Sequence, residues 1–142
     1  MASVRTEIID AIRAAVVASA VSGARVTRGR QTTVNSAGLP ETFVYPLRED
    51  AEAQTMGGPT RLWERKFSVM VDHYAKAATA EDLEEGFEAT EDLITAAVLP
   101  ITLGVLARDI LLTSTEWLYN GKENEFVGCV RLTFSAVYYK TQ

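Results

Sequence analysis

The stretch FVGCVRLTFSAVYY, Phe126 to Tyr139, decides the fold. Along it Phe126, Val130, Leu132, Phe134, Ala136 and Tyr138 share one phase, while Cys129, Arg131, Thr133, Ser135 and Val137 share the other. A period of two belongs to a strand, whose successive side chains point to opposite faces, so one face of this strand must be covered by other elements. Just upstream, Ala107 to Tyr119 has the β-branched and aromatic content of a partner strand. Asn120-Gly121 between them is a two-residue hairpin signal, which places the tip within Leu118 to Glu125.

Further upstream the same period recurs. Trp63, Phe67, Val69, Val71 and His73 alternate with Glu64, Lys66, Ser68 and Asp72, giving a long strand from Arg61 to Ala75. Phe43, Tyr45 and Leu47 alternate with Val44 and Pro46 in a shorter strand that starts at Thr42. Proline cannot donate to a ladder, so this strand belongs at a sheet edge or ends at Pro46. Arg25 to Arg28 is a candidate for one more short strand, followed by a polar loop from Gly29 to Pro40. Glu49 to Thr60, with Gly57-Gly58-Pro59, shows no periodicity and is expected to be a long loop; Glu49, Asp50, Glu52 and Met56 are its candidate partner-contact residues.

Two segments have helical spacing instead. Val4, Ile8, Ile12, Ala15, Val16 and Ser19 recur three and four apart, with Arg5, Asp10 and Arg13 on the other side and Gly23 as a stop. Ile9 and Val17 fall off this stripe, which widens the buried face or offers a second contact surface. The second helix has its inner stripe at Leu83, Phe87, Thr90, Ile94 and Ala97, a capping pair in Thr79 and Asp82, and Pro100 as its end. Its first turns are crowded with carboxylates, which complement the positive end of a helix dipole. The order helix, strands, helix, hairpin predicts an α+β fold, one mainly antiparallel sheet with two helices packed on one face, as a single domain spanning residues 1–142. The opposite face, carrying Tyr45, Tyr74, Val127, Val137 and Tyr139, is then left to water or to another subunit.

Composition narrows the function. The net charge of -5, from 19 acidic and 14 basic residues, argues against a surface for duplex DNA, which needs clustered cations to displace counterions. Arg25, Arg28 and Arg30 form the one small basic cluster, without interleaved aromatics, and suit a salt bridge to a neighbouring molecule better than a nucleic acid. A single cysteine, Cys129, allows no intrachain disulfide and fits a reducing cytoplasm. Leu93 to Ala107, the longest uncharged stretch, contains Pro100 and Gly104 and is too short for a membrane span.

The search for chemistry yields no constellation. His73 is the only histidine, and it lies on the apolar phase of its strand, the place of a packed residue rather than of a general base. Cys129 is mid-strand with no CxxC partner, and the carboxylates of the second helix lack a loop or histidine to complete a metal site. Gly57-Gly58-Pro59 and Gly121-Lys122 lack the other positions of a phosphate loop. No catalytic residue, cofactor or metal is expected; the chain is expected to be a non-enzymatic assembly subunit.

Taken in order, an N-terminal amphipathic helix, the Gly29-Arg30 turn, Leu39-Pro40 leading into Phe43-Val44-Tyr45, acidic residues from Glu49 to Glu52, the Trp63 to Tyr74 strand, the acidic helix and the Trp117 to Tyr139 hairpin span nearly the whole chain. This order resembles the tail terminator family of long-tailed bacteriophages, of the minor tail protein U type. The resemblance implies a virion tail protein, assembled in the host cytoplasm, whose copies form a homohexameric ring on the last ring of the tail tube protein. Such a ring stops tube polymerisation and presents a joining surface to the head-tail connector protein, while DNA passes through without specific binding. The resemblance supplies no active-site residues. Within it, Phe43, Val44, Tyr45 and Leu47 are the candidate subunit interface, on the expectation that their strand is an unpaired edge with Val44 pointing away from the core.

Overall fold

The computed structural model describes residues 4–19, 26–29, 40–53, 62–100, 109–122 and 125–141. In chain order these form α1 (Val4–Ala18), β1 (Val26–Arg28), β2 (Glu41–Ala53), β3 (Leu62–Ala77), α2 (Ala80–Val98), β4 (Asp109–Lys122) and β5 (Glu125–Thr141). The strands make one sheet in the order β1-β2-β3-β5-β4. Only the short β1 pairs in parallel, with β2; the other neighbours are antiparallel. The expected α+β architecture is therefore present, with both helices on one face.

The centre of the sheet is β3 against β5, paired without a break from Leu62↔Thr141 to Ala77↔Phe126. One phase of each strand, Phe67, Val69 and Val71 with Val130, Leu132, Phe134 and Ala136, is buried beneath the helices. From α1 come Ile8, Ile9, Ile12 and Val16; from α2, Leu83, Phe87, Ile94 and Val98. Ile9 therefore widens the buried stripe, while Val17 stays exposed. Each large aliphatic or aromatic side chain so buried contributes about 1.5–3 kcal/mol. The Thr79 hydroxyl accepts from the Asp82 amide at 3.2 Å and caps α2, which closes at Leu99 just before Pro100. Phe87 seats directly over Gly128, where an added Cβ would lie 3.0 Å from its ring and 2.8 Å from the Leu118 carbonyl oxygen.

Two features of the sheet differ from the sequence expectation. The hairpin pairs Asn120 with Val127, Gly121 with Phe126 and Lys122 with Glu125, so its tip lies beyond Lys122, inside the expected Leu118 to Glu125 range, but Asn120-Gly121 itself is strand rather than turn. The strand β2 runs on to Ala53, pairing Glu49 with Phe67 and Ala53 with Trp63, so the expected loop begins at least five residues too early. Both have one cause: strongly polar residues do pair when a long neighbour offers a ladder.

The sequence also misses a bulge. Pro46 faces Val69 and Arg48 faces Ser68, leaving Leu47 as an extra residue. A bulge beside a residue that cannot donate to the ladder costs little pairing and resets the alternation. Before it, Thr42 and Val44 point to the helices; after it, Glu49 does. Val44 is fully buried in the main core, whereas Phe43 and Tyr45 lie on the opposite face. Nor is this stretch an edge, since Thr42, Phe43 and Val44 pair with Val26, Thr27 and Arg28, and Gly29, in the left-handed region, donates its amide to the Val44 carbonyl at 2.8 Å. The edge assignment of Val44 and its outward direction are thus both corrected.

Val44→Asp should consequently destroy the fold rather than spare it. A carboxylate without a partner in this core costs more than about 3 kcal/mol, and urea unfolding followed by circular dichroism should show a correspondingly lower midpoint or no transition. A wild-type midpoint would place Val44 outside the core.

His73 is the packed histidine that its phase suggested: it is 3% exposed, and its Nδ1 shares a 2.9 Å hydrogen bond with Thr42 Oγ1. Burial depresses its pKa from 6.5 to about 4. Between those values the unfolded chain binds more protons than the folded one, so stability falls as pH falls through this window. The loss amounts to about 3 kcal/mol when complete, with no further loss from this group below about pH 4. His73→Gln removes the titration, and the difference between wild-type and variant stabilities should slope between pH 6.5 and 4 and be flat above it; a uniform difference over the whole range would refute the assignment.

Candidate assembly surfaces

Glu49, expected in a partner-contact loop, is an internal anchor instead. The bulge turns it toward α1, where its carboxylate accepts from Arg5 Nε at 3.1 Å, from Arg65 Nη1 at 3.0 Å and from the Tyr138 hydroxyl. Burial alone would raise its pKa, but the bonds from Arg5, Tyr138 and Arg65 outweigh that and hold it below the usual carboxylate value. One side chain thereby ties α1, β2, β3 and β5 together. Asp50 is exposed on β2 beside Arg48, at 3.4 Å. Glu52 belongs to the same strand, paired with Glu64, and Met56 lies outside the described residues.

The four candidate interface residues part company as well. Phe43 and Tyr45 join Met70 and Tyr74 in a small cluster on the sheet face away from the helices, with the Phe43 and Tyr74 rings edge to face at 5.7 Å. Beside it Asp72, 1% exposed, accepts from the Tyr45 hydroxyl at 2.6 Å and from Arg131 Nε and Nη2 at 2.9 and 3.2 Å. A buried carboxylate held by a two-pronged guanidinium and a phenol is satisfied within the subunit. With Val44 in the core, only Leu47, 53% exposed at the bulge, has a large free surface. The sequence placed polar residues on this face but could not show that Asp72 and Arg131 meet, because that depends on the β3–β5 register.

The exposed apolar side chains gather elsewhere, on the outer strand β4. Leu111, Trp117, Leu118 and Tyr119 are all about half exposed. Trp117 and Tyr119 point to the helix side, where with Glu84, Glu88, Glu91 and Asp92 of α2 they line a cleft of about 420 Å³. None of these four carboxylates takes part in an ion pair among the described residues. Tyr119 also meets the buried Phe87 of α2 in a tilted ring contact, with centroids 6.0 Å apart. At the other edge of the sheet, Arg5, Arg28 and Arg48 line a cleft of about 520 Å³ with Ile9, Pro46, Leu47 and Glu49. Arg28 of the sequence's basic cluster is exposed and reaches Asp10 at 3.4 Å; Arg25 and Arg30 lie outside the described residues. Sequence reasoning missed the acidic aromatic cleft, since its two halves are more than twenty residues apart in the chain.

Cys129 is buried, and burial first, then the nearby Asp72 carboxylate, raise its thiol pKa to about 12. The thiolate is thus suppressed at neutral pH. Among the described residues no group of three His, Cys, Asp or Glu side chains is placed to hold a metal ion, and no helix is long and apolar enough to cross a membrane.

No protein-family model matches the chain, and no curated protein matches it. Among solved structures, a chain from the virion of a native gene transfer agent particle matches with a TM-score of 0.52 at 15% identity, covering 94% of this chain and 92% of that one. A second solved chain covers 89% of this protein at 17% identity with a TM-score of 0.41, too low to bear on the fold. What the first match establishes is a shared fold over nearly the full length of both chains.

Proposed function

We propose that this protein is a structural component of a virion, a subunit that forms a ring on the end of a phage tail tube, terminates tube growth and offers the head-to-tail joining surface. The observation that carries the reading is the end-to-end likeness to a virion chain, at 94% and 92% coverage. The order of elements that resembles tail terminators supports the finer role. So does the distribution of the surface: half-exposed apolar side chains concentrate on one outer strand, as on a protein that works through contact with others. The proposal contains no catalytic step, in keeping with a histidine buried against Thr42 and a thiol held protonated.

The ring would stop growth because one face matches the tube end while the other does not repeat the tube's docking surface. A different head-tail connector or a tube subunit would share the fold and the ring, and a small-molecule-binding domain would need neither. Native mass spectrometry of the purified protein should give a closed oligomer, with six copies expected. Added to polymerising tail-tube subunits, the protein should cap tubes at shorter length without being incorporated along them. Incorporation along the tube would identify a tube subunit; a ring with no effect on tube length would identify a connector; a strict monomer would remove the ring.

A further inference from the structure

The two edges of the sheet are unlike in ways that fit each other. At one edge β2 is blunted beyond Val44 by Pro46, the bulge and the charged Arg48 and Asp50, devices that discourage a stranger's strand, and among the described residues the short β1 presents the outer row. At the other edge β4 has no proline and, past its own bulge at Thr113, runs unbroken from Ser114 to Lys122, with Trp117, Leu118 and Tyr119 half exposed on that run and no lysine before Lys122. The first edge has the arginine-lined cleft and the second the carboxylate-lined one.

Register makes the match specific. Across the sheet Val26 pairs with Thr42, which pairs with His73, then Val130, then Trp117. The next row on the same face runs Arg28, Val44, Val71, Leu132, Thr115. The tips of β1 and the Thr115 to Trp117 part of β4 therefore sit at one height along the strands. They also run in opposite senses, because β1 follows β2 and three antiparallel steps separate β2 from β4. A second copy placed by rotation about an axis along the strands brings its β1 antiparallel to β4, with helices on the same side. Arg28, on the helix side of β1 beside α1, then faces the side of β4 where Trp117 stands among Glu84, Glu88, Glu91 and Asp92.

We infer that the subunits of the proposed ring join head to tail through these two edges, β1 of one copy on β4 of the next, with Arg28 entering the acidic aromatic cleft. The inference rests on the ring reading and names its contact. Unlike surfaces that meet by rotation close a ring, whereas a self-matching patch would stop at a dimer. A guanidinium gains there from carboxylates and from the indole face together. Its present partner Asp10 is exposed and 3.4 Å away, a screened pair easily exchanged.

Cysteine pairing tests the geometry and charge reversal tests the chemistry. Thr27 and Glu116 are the ends of the row through Phe43, Asp72 and Arg131, and both are exposed. The double variant Thr27→Cys/Glu116→Cys should cross-link between copies under mild oxidation, giving a ladder up to the ring on a non-reducing gel, and neither single variant should. Arg28→Glu and Glu88→Arg should each lower the fraction of assembled protein at least tenfold by sedimentation, with unchanged circular dichroism, and the two together in one chain should restore it. Rings that survive each single reversal, or an absent ladder when wild type forms rings, overturn this contact while leaving the ring intact. Wild type that never assembles overturns the ring reading, and the contact with it.

Discussion

Everything else in this fold hangs on the unbroken antiparallel pairing of β3 with β5, from Leu62↔Thr141 to Ala77↔Phe126. It fixes which phase of each strand lies under the helices, because a slip of one residue would exchange the buried and open sets along the whole length. Two kinds of contact guard it. On the helix side the close-packed row of Val69, Val71, Leu132 and Phe134 admits no shift, and on the other side Arg131 grips Asp72 across the same pair of strands. A slipped register would leave Asp72 buried without its guanidinium, at a cost of several kcal/mol. Charge here acts less as a source of stability than as a penalty on every wrong alignment.

Glu49 extends the same logic to the helix layer. Its carboxylate gathers Arg5, Arg65 and Tyr138, so the first turn of α1 is tied to three strands at one point. Arg5 is half exposed and its share is modest, but Arg65 and Glu49 are largely shielded, where hydrogen-bonded ions matter more. The whole arrangement depends on a single extra residue, Leu47, since without the bulge Glu49 would lie on the opposite face.

This marks the boundary of what the sequence could tell. Long, regular alternation in β3 and β5 and the three-and-four spacing of both helices were legible, because burial imposes them directly on residue type. Thr79 and Pro100 were legible as helix ends for equally local reasons. The face of Val44 was not: alternation assigns faces relative to a neighbour, and the short β2 pattern was phased on Phe43 and Tyr45, which are buried too, but in a second, smaller cluster. Asn120-Gly121 misled because a favourable turn pair is a preference of about a kilocalorie, easily overridden by one more pair of ladder bonds. The clefts were out of reach altogether, being joined only by tertiary packing.

Gly128 gives the last of these a handle. The missing side chain forms a recess into which Phe87 drops, and Gly128 is paired in register with Tyr119 of the cleft. The seating depth of α2, and with it the height of four carboxylates above Trp117, is therefore set by a residue that touches none of those carboxylates. A side chain at position 128 would press on the Phe87 ring of α2 and, more closely still, on the Leu118 carbonyl oxygen of β4, and so would shift both walls of the cleft without replacing any group that lines it. In the ring proposed above, such a site would be a tuning screw: sequence drift there would change how well copies fit without replacing any group at their contact.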